Sequence, residues 1–235
     1  MKREDLVRIV AVVGGAIVLV AAVVVGTRLS NHSSKPTASN IQKDSIDEML
    51  SGIPQKGIEL GSPSAKVTLV EFSDPQCPWC GKWARETFPT LVQNYVRTGK
   101  LRVEYAGLAF LGDDSARLLN LAQAAGLQNK LWNVVELEFE NQGAENSGYA
   151  TDAFLRGLAK AVPGLNADKA LSTANTSAVG PMIKAAQKLV VAKVGKRIST
   201  PTFLLGQTGS TKTQTIVGAQ PLSTFTNAID AELKK

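Results

Sequence analysis

The stretch KVTLVEFSDPQCPWC, residues 66–80, joins a predicted strand to the only two cysteines of the chain. Its first half is rich in β-branched and apolar residues and leads into turn-forming residues, a pattern typical of a buried strand. After the cysteines, Trp83 and Phe88 begin a series of apolar residues at helical spacing. Cys77 and Cys80 are therefore predicted to lie where a strand passes into a helix.

The other elements follow from changes in the spacing of apolar residues. Residues 101–110, LRVEYAGLAF, predict a second strand. From about residue 113 to 194 apolar residues recur at intervals of three and four, which indicates several helices. Residues 200–206 and 213–218 predict a hairpin, and residues 221–233 a closing amphipathic helix. The order β-α-β, helical block, β-β-α predicts an α/β fold with a multi-helix insertion.

An apolar segment precedes this domain. Residues 9–26 contain no charged side chain and lie at the short end of what crosses roughly 30 Å of hydrocarbon. The basic residues before them predict a transmembrane anchor, with residues 1–8 in the cytoplasm and the remainder outside. A cleaved signal peptide is the alternative, and either interpretation exports the domain. Residues 27–56 predict a polar linker with a short helix, followed by a folded domain over 57–235.

Composition excludes several classes of function. The net charge of +6 is scattered along the chain and aromatic residues make up 6%, so we expect no binding of nucleic acid, which favours clustered basic residues with interleaved aromatics. The one histidine, His32, lies in a linker rich in Ser and Asn. Mechanisms in which a Cys or Ser nucleophile is activated by His are therefore not expected.

The spacing of the two cysteines indicates a redox pair. Unpaired N–H groups and the positive end of the helix dipole favour an anion at a helix N-terminus, and thiols placed there can have a pKa between about 3.5 and 7.5 instead of about 8.5. We expect Cys77 to be the thiolate and the less exposed Cys80 to resolve mixed disulfides. Pro78 suits the first helical turn, where a missing N–H costs least.

Three other roles for the pair are weaker. Zinc normally needs four Cys, His or carboxylate ligands, and the chain offers no second Cys pair or usable His. Copper binding would lack help from His or a Met-rich stretch. A structural disulfide with so short a loop would remove little entropy from the unfolded chain. We therefore predict no metal.

The stretch LGSPSAKVTLVEFSDPQCPWC resembles the opening of the DsbA-like thiol-disulfide oxidoreductases, in particular the membrane-anchored extracytoplasmic members of Gram-positive bacteria. The resemblance extends over roughly residues 58–235. It includes the helical insertion, the Thr200-Pro201 pair entering a strand, and the ending IVGAQPLSTF. It implies a thioredoxin fold, preceded in this chain by the one transmembrane helix.

The resemblance also implies roles for individual residues. Pro201 would be a cis-proline facing the disulfide, with Thr200, Pro78 and Trp79 contacting substrate. Trp79 stands where many strongly oxidising relatives have His, which removes a group that stabilises the thiolate. Glu71, on the strand beneath the helix, would be a buried acid that relays the proton of Cys80. The alternative for Glu71 is a strand residue that faces solvent or pairs with Lys.

The predicted function is an extracytoplasmic oxidoreductase that introduces disulfides into exported proteins with free cysteines. By resemblance, its partner for reoxidation is a membrane protein of the DsbB or vitamin K epoxide reductase type, and no cofactor is needed beyond the redox-active disulfide. The alternatives are an exported reductase or isomerase of the same fold, a copper-binding thiol chaperone, and a peptide-binding chaperone.

Overall fold

The computed structural model describes residues 41–235. The helices are α1 (Asp44–Leu50), α2 (Pro78–Glu86), α3 (Phe88–Leu91), α4 (Asp113–Gly126), α5 (Leu131–Glu140), α6 (Asp152–Ala161), α7 (Ala167–Ala174), α8 (Gly180–Lys193) and α9 (Leu222–Leu233). The strands are β1 (Gln55–Lys56), β2 (Glu59–Leu60), β3 (Val67–Ser73), β4 (Leu101–Gly107), β5 (Thr202–Gln207) and β6 (Gln214–Val217). A π-helical turn, Val92–Val96, extends α3.

These strands form one sheet in the order β1-β2-β4-β3-β5-β6. The central strand β3 runs parallel to β4 and antiparallel to β5, and β5 pairs antiparallel with β6. A parallel pair needs a long crossover connection, which α2 and α3 supply between β3 and β4. The predicted β-α-β and β-β-α units and the helical block between them are confirmed.

The two faces of the sheet carry different layers of helix. Successive side chains of a strand point to opposite faces. Leu69 of β3 belongs to the main core, which includes the apolar residues of α2, α5 and α9. Phe72 points the other way and packs in a second core with Ala186 and Val190 of α8. Glu71 lies two residues from Leu69 and therefore shares the face covered by α2 and α5.

Rings from several elements fill the main core beneath α2. Trp83 is 1% exposed, and its ring centroid lies 4.6 Å from that of Phe203 on β5 and 5.2 Å from that of Phe88. Phe88 stacks in turn on Trp132 of α5 at 5.1 Å. This packing fixes α2 between the sheet and the helical block, so the helix that carries the cysteines is rigidly held.

The folded domain begins before the predicted boundary at residue 57, which is therefore corrected. Ile46 and Leu50 of α1, together with Ile53, are buried in the main core. The hairpin of β1 and β2 adds two strands at the edge of the sheet beside β4. Burial of these apolar side chains holds the end of the predicted linker, residues 41–56, against the domain, and the short helix expected there is confirmed.

One further boundary differs from the expected one, whereas the interruption of the helix near Pro89 is what its sequence predicts. The strand predicted over residues 101–110 ends at Gly107, because the backbone beyond it bonds to a side chain of the active-site loop. The helix after the cysteines breaks at Thr87, two residues before Pro89. Proline lacks an N–H to donate and therefore disrupts a continuous helix at this point.

The predicted cytoplasmic residues 1–8, the predicted anchor 9–26 and residues 27–40 of the predicted linker lie outside the described residues. Between residues 41 and 235 no helix is long and apolar enough to cross a membrane.

Candidate active site

The two cysteines lie at the N-terminus of α2, as the sequence predicts. Cys77 is the N-cap residue with extended backbone angles, and Pro78 occupies the first helical position. The Cys77 N–H donates to the carbonyl of Asp74 at 2.9 Å, so a tight turn joins β3 to the helix. Both thiols are free in this structure. Cys77 is 5% exposed and Cys80 is fully buried.

The surroundings separate the pKa values of the two thiols. A hydrogen bond from the Cys80 thiol, helped by the Thr200 side chain and the N–H groups of Cys80 and Trp79, lowers the pKa of Cys77 to about 6, although burial opposes this. Burial raises the pKa of Cys80 well above its ordinary value, and the Cys77 charge adds to that effect. One thiol is therefore prepared to react as the anion, while the other is held neutral.

This separation predicts the titration of the reduced protein. The ultraviolet absorbance of thiolate should rise with a midpoint near pH 6 from Cys77 alone, without a second rise below pH 9. In Cys80→Ala the midpoint should move up toward the ordinary value of 9.0, because the principal hydrogen-bond donor is gone. A midpoint near 9 in the unaltered protein would contradict the geometry described here.

The loop that enters β5 faces Cys77. The Thr200-Pro201 peptide bond is cis, as the resemblance implies, and the Cys77 thiol donates to the Thr200 carbonyl at 3.2 Å. Pro201 is buried and Thr200 is half-buried. The structure thus brings both residues to the cysteine pair, although their parts in substrate binding stay predictions.

Trp79 and Pro78 lie on the outer side of the same turn. The Trp79 side chain is 61% exposed, and the Lys82 ammonium lies 6.0 Å from its ring centroid. Pro78 is also exposed. A large apolar side chain left in solvent beside a reactive thiol is suited to contact another protein chain.

Asp74 connects the segments around the active site through hydrogen bonds. It is fully buried. Its Oδ1 accepts hydrogen bonds from the Gln76 N–H at 2.9 Å and the Ser115 hydroxyl at 2.5 Å. Its Oδ2 accepts from the N–H groups of Phe110 and Leu111 at 2.8 and 3.2 Å. The active-site loop is thereby fixed to the loop after β4 and to the start of α4.

Gln142, just after α5, holds the same loop from the other side. Its Nε2 donates to the carbonyls of Pro75 and Cys77 at 2.8 and 3.1 Å. A Cβ atom on Gly81 would lie 2.5 Å from Gln142 Oε1. A side chain at this position would require the end of this glutamine to shift, so the close approach favours glycine after Cys80.

We expect Gln142→Ala to lower the free energy of unfolding by about 1–2 kcal/mol, since the Pro75 carbonyl loses this donor and the Cys77 carbonyl keeps only the Gly81 N–H. It should also move the pKa of Cys77, because the turn that carries the thiol is loosened. Gln128→Ala is the matched control, since the half-buried Gln128 also bonds backbone groups, those of Asn166, through exposed hydrogen bonds away from the site. Thiol titration and chemical denaturation of both variants check this. An equal effect of the two on the Cys77 pKa would refute it.

Glu71 is buried beneath α2 rather than facing solvent, so the solvent-facing alternative is wrong. It is 1% exposed, and its Oε1 has no hydrogen-bond partner in the part of the chain that the structure describes. Burial raises its pKa to about 8; the Ser73 hydroxyl opposes this and the Cys77 charge adds to it. Glu71 can therefore hold or release a proton near neutral pH, as a proton relay requires.

Sequence reasoning missed Asp74 and Gln142. Asp74 directly follows a strand at the edge where the cysteines lie, a signal that could have identified it. Gln142 has no such signal, since it reaches the loop from far along the chain. As for metals, residues 41–235 contain no group of three His, Cys, Asp or Glu side chains placed to hold an ion.

Comparison with known proteins identifies a family for most of the chain. The family model described as thioredoxin matches residues 54–231. The probable disulfide bond formation protein D of Bacillus cereus is 29% identical over 123 residues, which cover 52% of this chain and 56% of the relative. Disulfide bond formation protein D of Bacillus subtilis is 31% identical over 104 residues, covering 43% and 46%. The chain thus spans about half the length of these relatives.

Solved structures share the fold over a longer stretch. Oxidised BdbD from Bacillus subtilis superposes with a TM-score of 0.67 at 22% identity, covering 79% of this chain and 98% of that one. The α-DsbA1 of Wolbachia pipientis gives 0.65 at 20% identity, covering 79% and 92%. With a family match over most of its length, this chain belongs to the thioredoxin family, and its described part has the thioredoxin-like fold with the many helices of the DsbA structures.

Proposed function

We propose that this protein is a thiol-disulfide oxidoreductase that forms disulfides in exported proteins by exchange at Cys77 and Cys80. One observation carries the proposal: at the start of α2 the pKa of Cys77 is lowered to about 6, while the fully buried Cys80 stays neutral. A stabilised thiolate is a good leaving group in exchange, and its stability favours the reduced protein. The pair therefore tends to take electrons from substrate thiols.

The proposed reaction consists of two successive thiol-disulfide exchanges. A substrate thiolate attacks the Cys77 sulfur of the disulfide; the substrate–Cys77 bond forms and the Cys77–Cys80 bond breaks. The Cys80 sulfur leaves with the electron pair and takes the proton of Glu71. A second substrate thiolate then attacks the substrate sulfur of the mixed disulfide and expels Cys77 as thiolate. Two electrons have passed from substrate to the cysteine pair, and Glu71 must regain a proton.

The other residues of the site position these steps. The Thr200 carbonyl lies 3.2 Å from the Cys77 sulfur, so backbone of the Thr200-Pro201 loop is available to an extended substrate at the reacting sulfur. Pro78 and the exposed Trp79 would contact the substrate on the other side of Cys77. Such contacts recognise backbone and apolar surface, which fits a protein that acts on many unfolded substrates.

The proposed location is outside the cytoplasm, with residues 9–26 as a membrane anchor. The uncharged apolar segment and the basic residues before it support this placement. A partner of the DsbB or vitamin K epoxide reductase type would reoxidise the pair at the membrane. The names of the Bacillus relatives, disulfide bond formation protein D, support a role in forming disulfides.

The test mixes the oxidised full-length protein with a reduced, unfolded protein that contains two cysteines. Free thiols are trapped with a maleimide and counted by mass. We expect two thiols to disappear from the substrate for each Cys77–Cys80 pair that becomes reduced. Substrate thiols that persist while the pair stays oxidised would overturn the proposed function.

The second candidate is an exported reductase that uses the same two exchanges in reverse. Trp79 favours it, because it stands where strongly oxidising relatives of the family have His. A membrane electron donor would then replace the oxidising partner. The reduction potential of the cysteine pair separates the two candidates.

A further inference from the structure

Each transfer of electrons at the proposed site moves a proton through Glu71, which solvent cannot reach directly. Glu71 is 1% exposed, and α2 covers its face of the sheet. A carboxyl that has given its proton to Cys80 must recover one before the next cycle. A route for that proton is therefore needed, and the cysteine side of the domain is the side that substrate would cover.

Helix α5 brings another buried carboxyl to this region. Tyr105 pairs with Glu71 across β3 and β4, so the two side chains share one face of the sheet. The Trp132 ring of α5 packs on the Tyr105 ring with centroids 5.9 Å apart. Glu136 lies four residues after Trp132, hence on the same side of α5. It is 4% exposed and its Oε1 has no partner among the described residues.

Glu136 also borders the outside. It lines a surface pocket of about 210 Å³ between α1, α2 and α5. Met49 of α1 forms part of the wall, and the exposed Arg85 lies at the same pocket. A pocket of this volume is large enough to hold water molecules. Neither Cys77 nor Trp79 lines this pocket, so it opens on a different side of α2 from the turn that carries the reactive thiol.

The surroundings of Glu136 include both carboxylates and a guanidinium. Burial raises its pKa well above the ordinary value; the charges of Glu71 and Glu140 add to this, and Arg85 opposes it. Glu71 and Glu136 thus lie in one region of low dielectric, where burial favours the protonated form of each carboxyl. The part of α1 that lines the pocket presents uncharged side chains, those of Ser45, Ile46 and Met49.

We propose that Glu136 passes protons between Glu71 and the pocket bordered by α1, so that the proton of Cys80 is exchanged with solvent on the side away from substrate. This path rests on the proposed function, since it serves the exchange at the cysteines. Glu136 is a positioning residue for protons rather than a group that touches the reacting sulfur atoms.

Glu138 offers a matched control on the same helix. It is 1% exposed, and neither of its carboxyl oxygens has a partner among the described residues. Its charge acts on Tyr105 and Tyr149, and it is not among the residues lining the pocket. Replacing it removes an equally buried carboxyl without closing the proposed path.

The experiment follows the resolving step in the full-length protein. Reduced protein is mixed with 5,5′-dithiobis(2-nitrobenzoate) in a stopped-flow instrument. Cys77 attacks first and releases one coloured thiolate. In the second phase Glu71 first releases its own proton and then takes that of Cys80, the Cys80 sulfur attacks the Cys77 sulfur of the mixed disulfide, and the second coloured thiolate leaves. The rate of this second phase is measured from pH 5 to 9 in Glu136→Gln, Glu138→Gln and Glu71→Gln.

We expect Glu136→Gln to slow the second phase by about 10²-fold, as Glu71→Gln should, because a positioned proton-transfer group typically contributes about that factor or more. The first phase should be unchanged, and Glu138→Gln should match the unaltered protein in both phases. In Glu136→Ala, formate should restore the second phase in proportion to its concentration, which a purely structural role of Glu136 would not produce.

The results that would overturn the path are distinct from those that would overturn the function. A second phase that is normal in the unaltered protein and unchanged in Glu136→Gln, or slowed equally in Glu138→Gln, would overturn the path alone. An unaltered protein without a second phase would overturn the proposed function as well. Should Glu136→Gln fail to fold, Met49→Trp fills the pocket with Glu136 intact; a slowed second phase there supports the path, and an unchanged one rejects it.

Discussion

Replacing Cys77 with serine should reduce thiol-disulfide exchange to the uncatalysed rate. With a pKa of about 6, the Cys77 sulfur is mostly thiolate at neutral pH, whereas a serine hydroxyl stays protonated and forms no disulfide. We expect a loss of at least about 10³-fold in the rate of substrate thiol oxidation, since the thiolate is the reacting species. Serine has nearly the shape of cysteine, so the thermal unfolding temperature should change little.

Cys80→Ser is the paired control, because it leaves the attacking thiolate in place. When the reduced variant is mixed with a substrate that contains a disulfide, the Cys77 thiolate attacks that disulfide, the Cys77–substrate bond forms, and the other substrate sulfur leaves as thiolate. Without Cys80 this mixed disulfide cannot be resolved from within the protein, so Cys77 should be recovered bound to substrate after acid quenching. Non-reducing gels and mass spectrometry detect this adduct. In Cys77→Ser, exchange that persists or a substrate adduct on Cys80 would be inconsistent with the assigned order of the two cysteines.

Glu71→Gln should stabilise the protein, and the gain should grow as the pH rises. In the folded protein burial raises the pKa of Glu71 from 4.5 to about 8, so folding favours the protonated carboxyl. The favourable contribution is complete below the unfolded pKa and is lost as the pH rises through the folded value. Each unit of difference between the folded and unfolded pKa corresponds to about 1.4 kcal/mol. The contribution of Glu71 to the free energy of unfolding should therefore fall by about 4 kcal/mol between pH 4 and pH 8.

The measurement is chemical denaturation of both proteins at a series of pH values. The difference in unfolding free energy, Gln variant minus unaltered protein, should increase across this range. Glu86→Gln is the control: Glu86 is exposed on α2 and pairs with Lys82 at 3.3 Å, so its effect should stay small at every pH. A flat difference for Glu71→Gln would mean that this carboxyl is hydrated and is not the proton relay.

The parts of the fold that could be predicted from sequence are those with a clear period. The apolar run of β3, the helical spacing after Cys80 and the hairpin after the helical block all appear where they were expected. The β1 and β2 strands are only two residues long each, too short to show any alternation. They form because Glu59 and Leu60 pair with β4, a partner more than forty residues away that no local pattern identifies.

The residues of the site also fall into two groups, those that the sequence could predict and those that it could not. The position of the cysteines and the placement of the Thr200-Pro201 loop beside them followed from motif and resemblance. The contacts of Asp74 and Gln142 depend on distant segments that meet only in the folded chain. The sequence VVELEFE of α5 would suggest a helix with charged residues in solvent, yet Glu136 and Glu138 are both buried, because α5 lies between α2, the sheet and other helices of the insertion.

The reduction potential of the Cys77–Cys80 pair separates a disulfide donor from a reductase most directly. It is measured in the full-length protein, equilibrated in glutathione buffers and read by thiol trapping. The stabilised Cys77 thiolate predicts an oxidising pair, with a value above about −200 mV and toward the about −120 mV of strong disulfide donors. A value near about −270 mV, as in thioredoxin, would contradict the oxidase and make this protein a reductase.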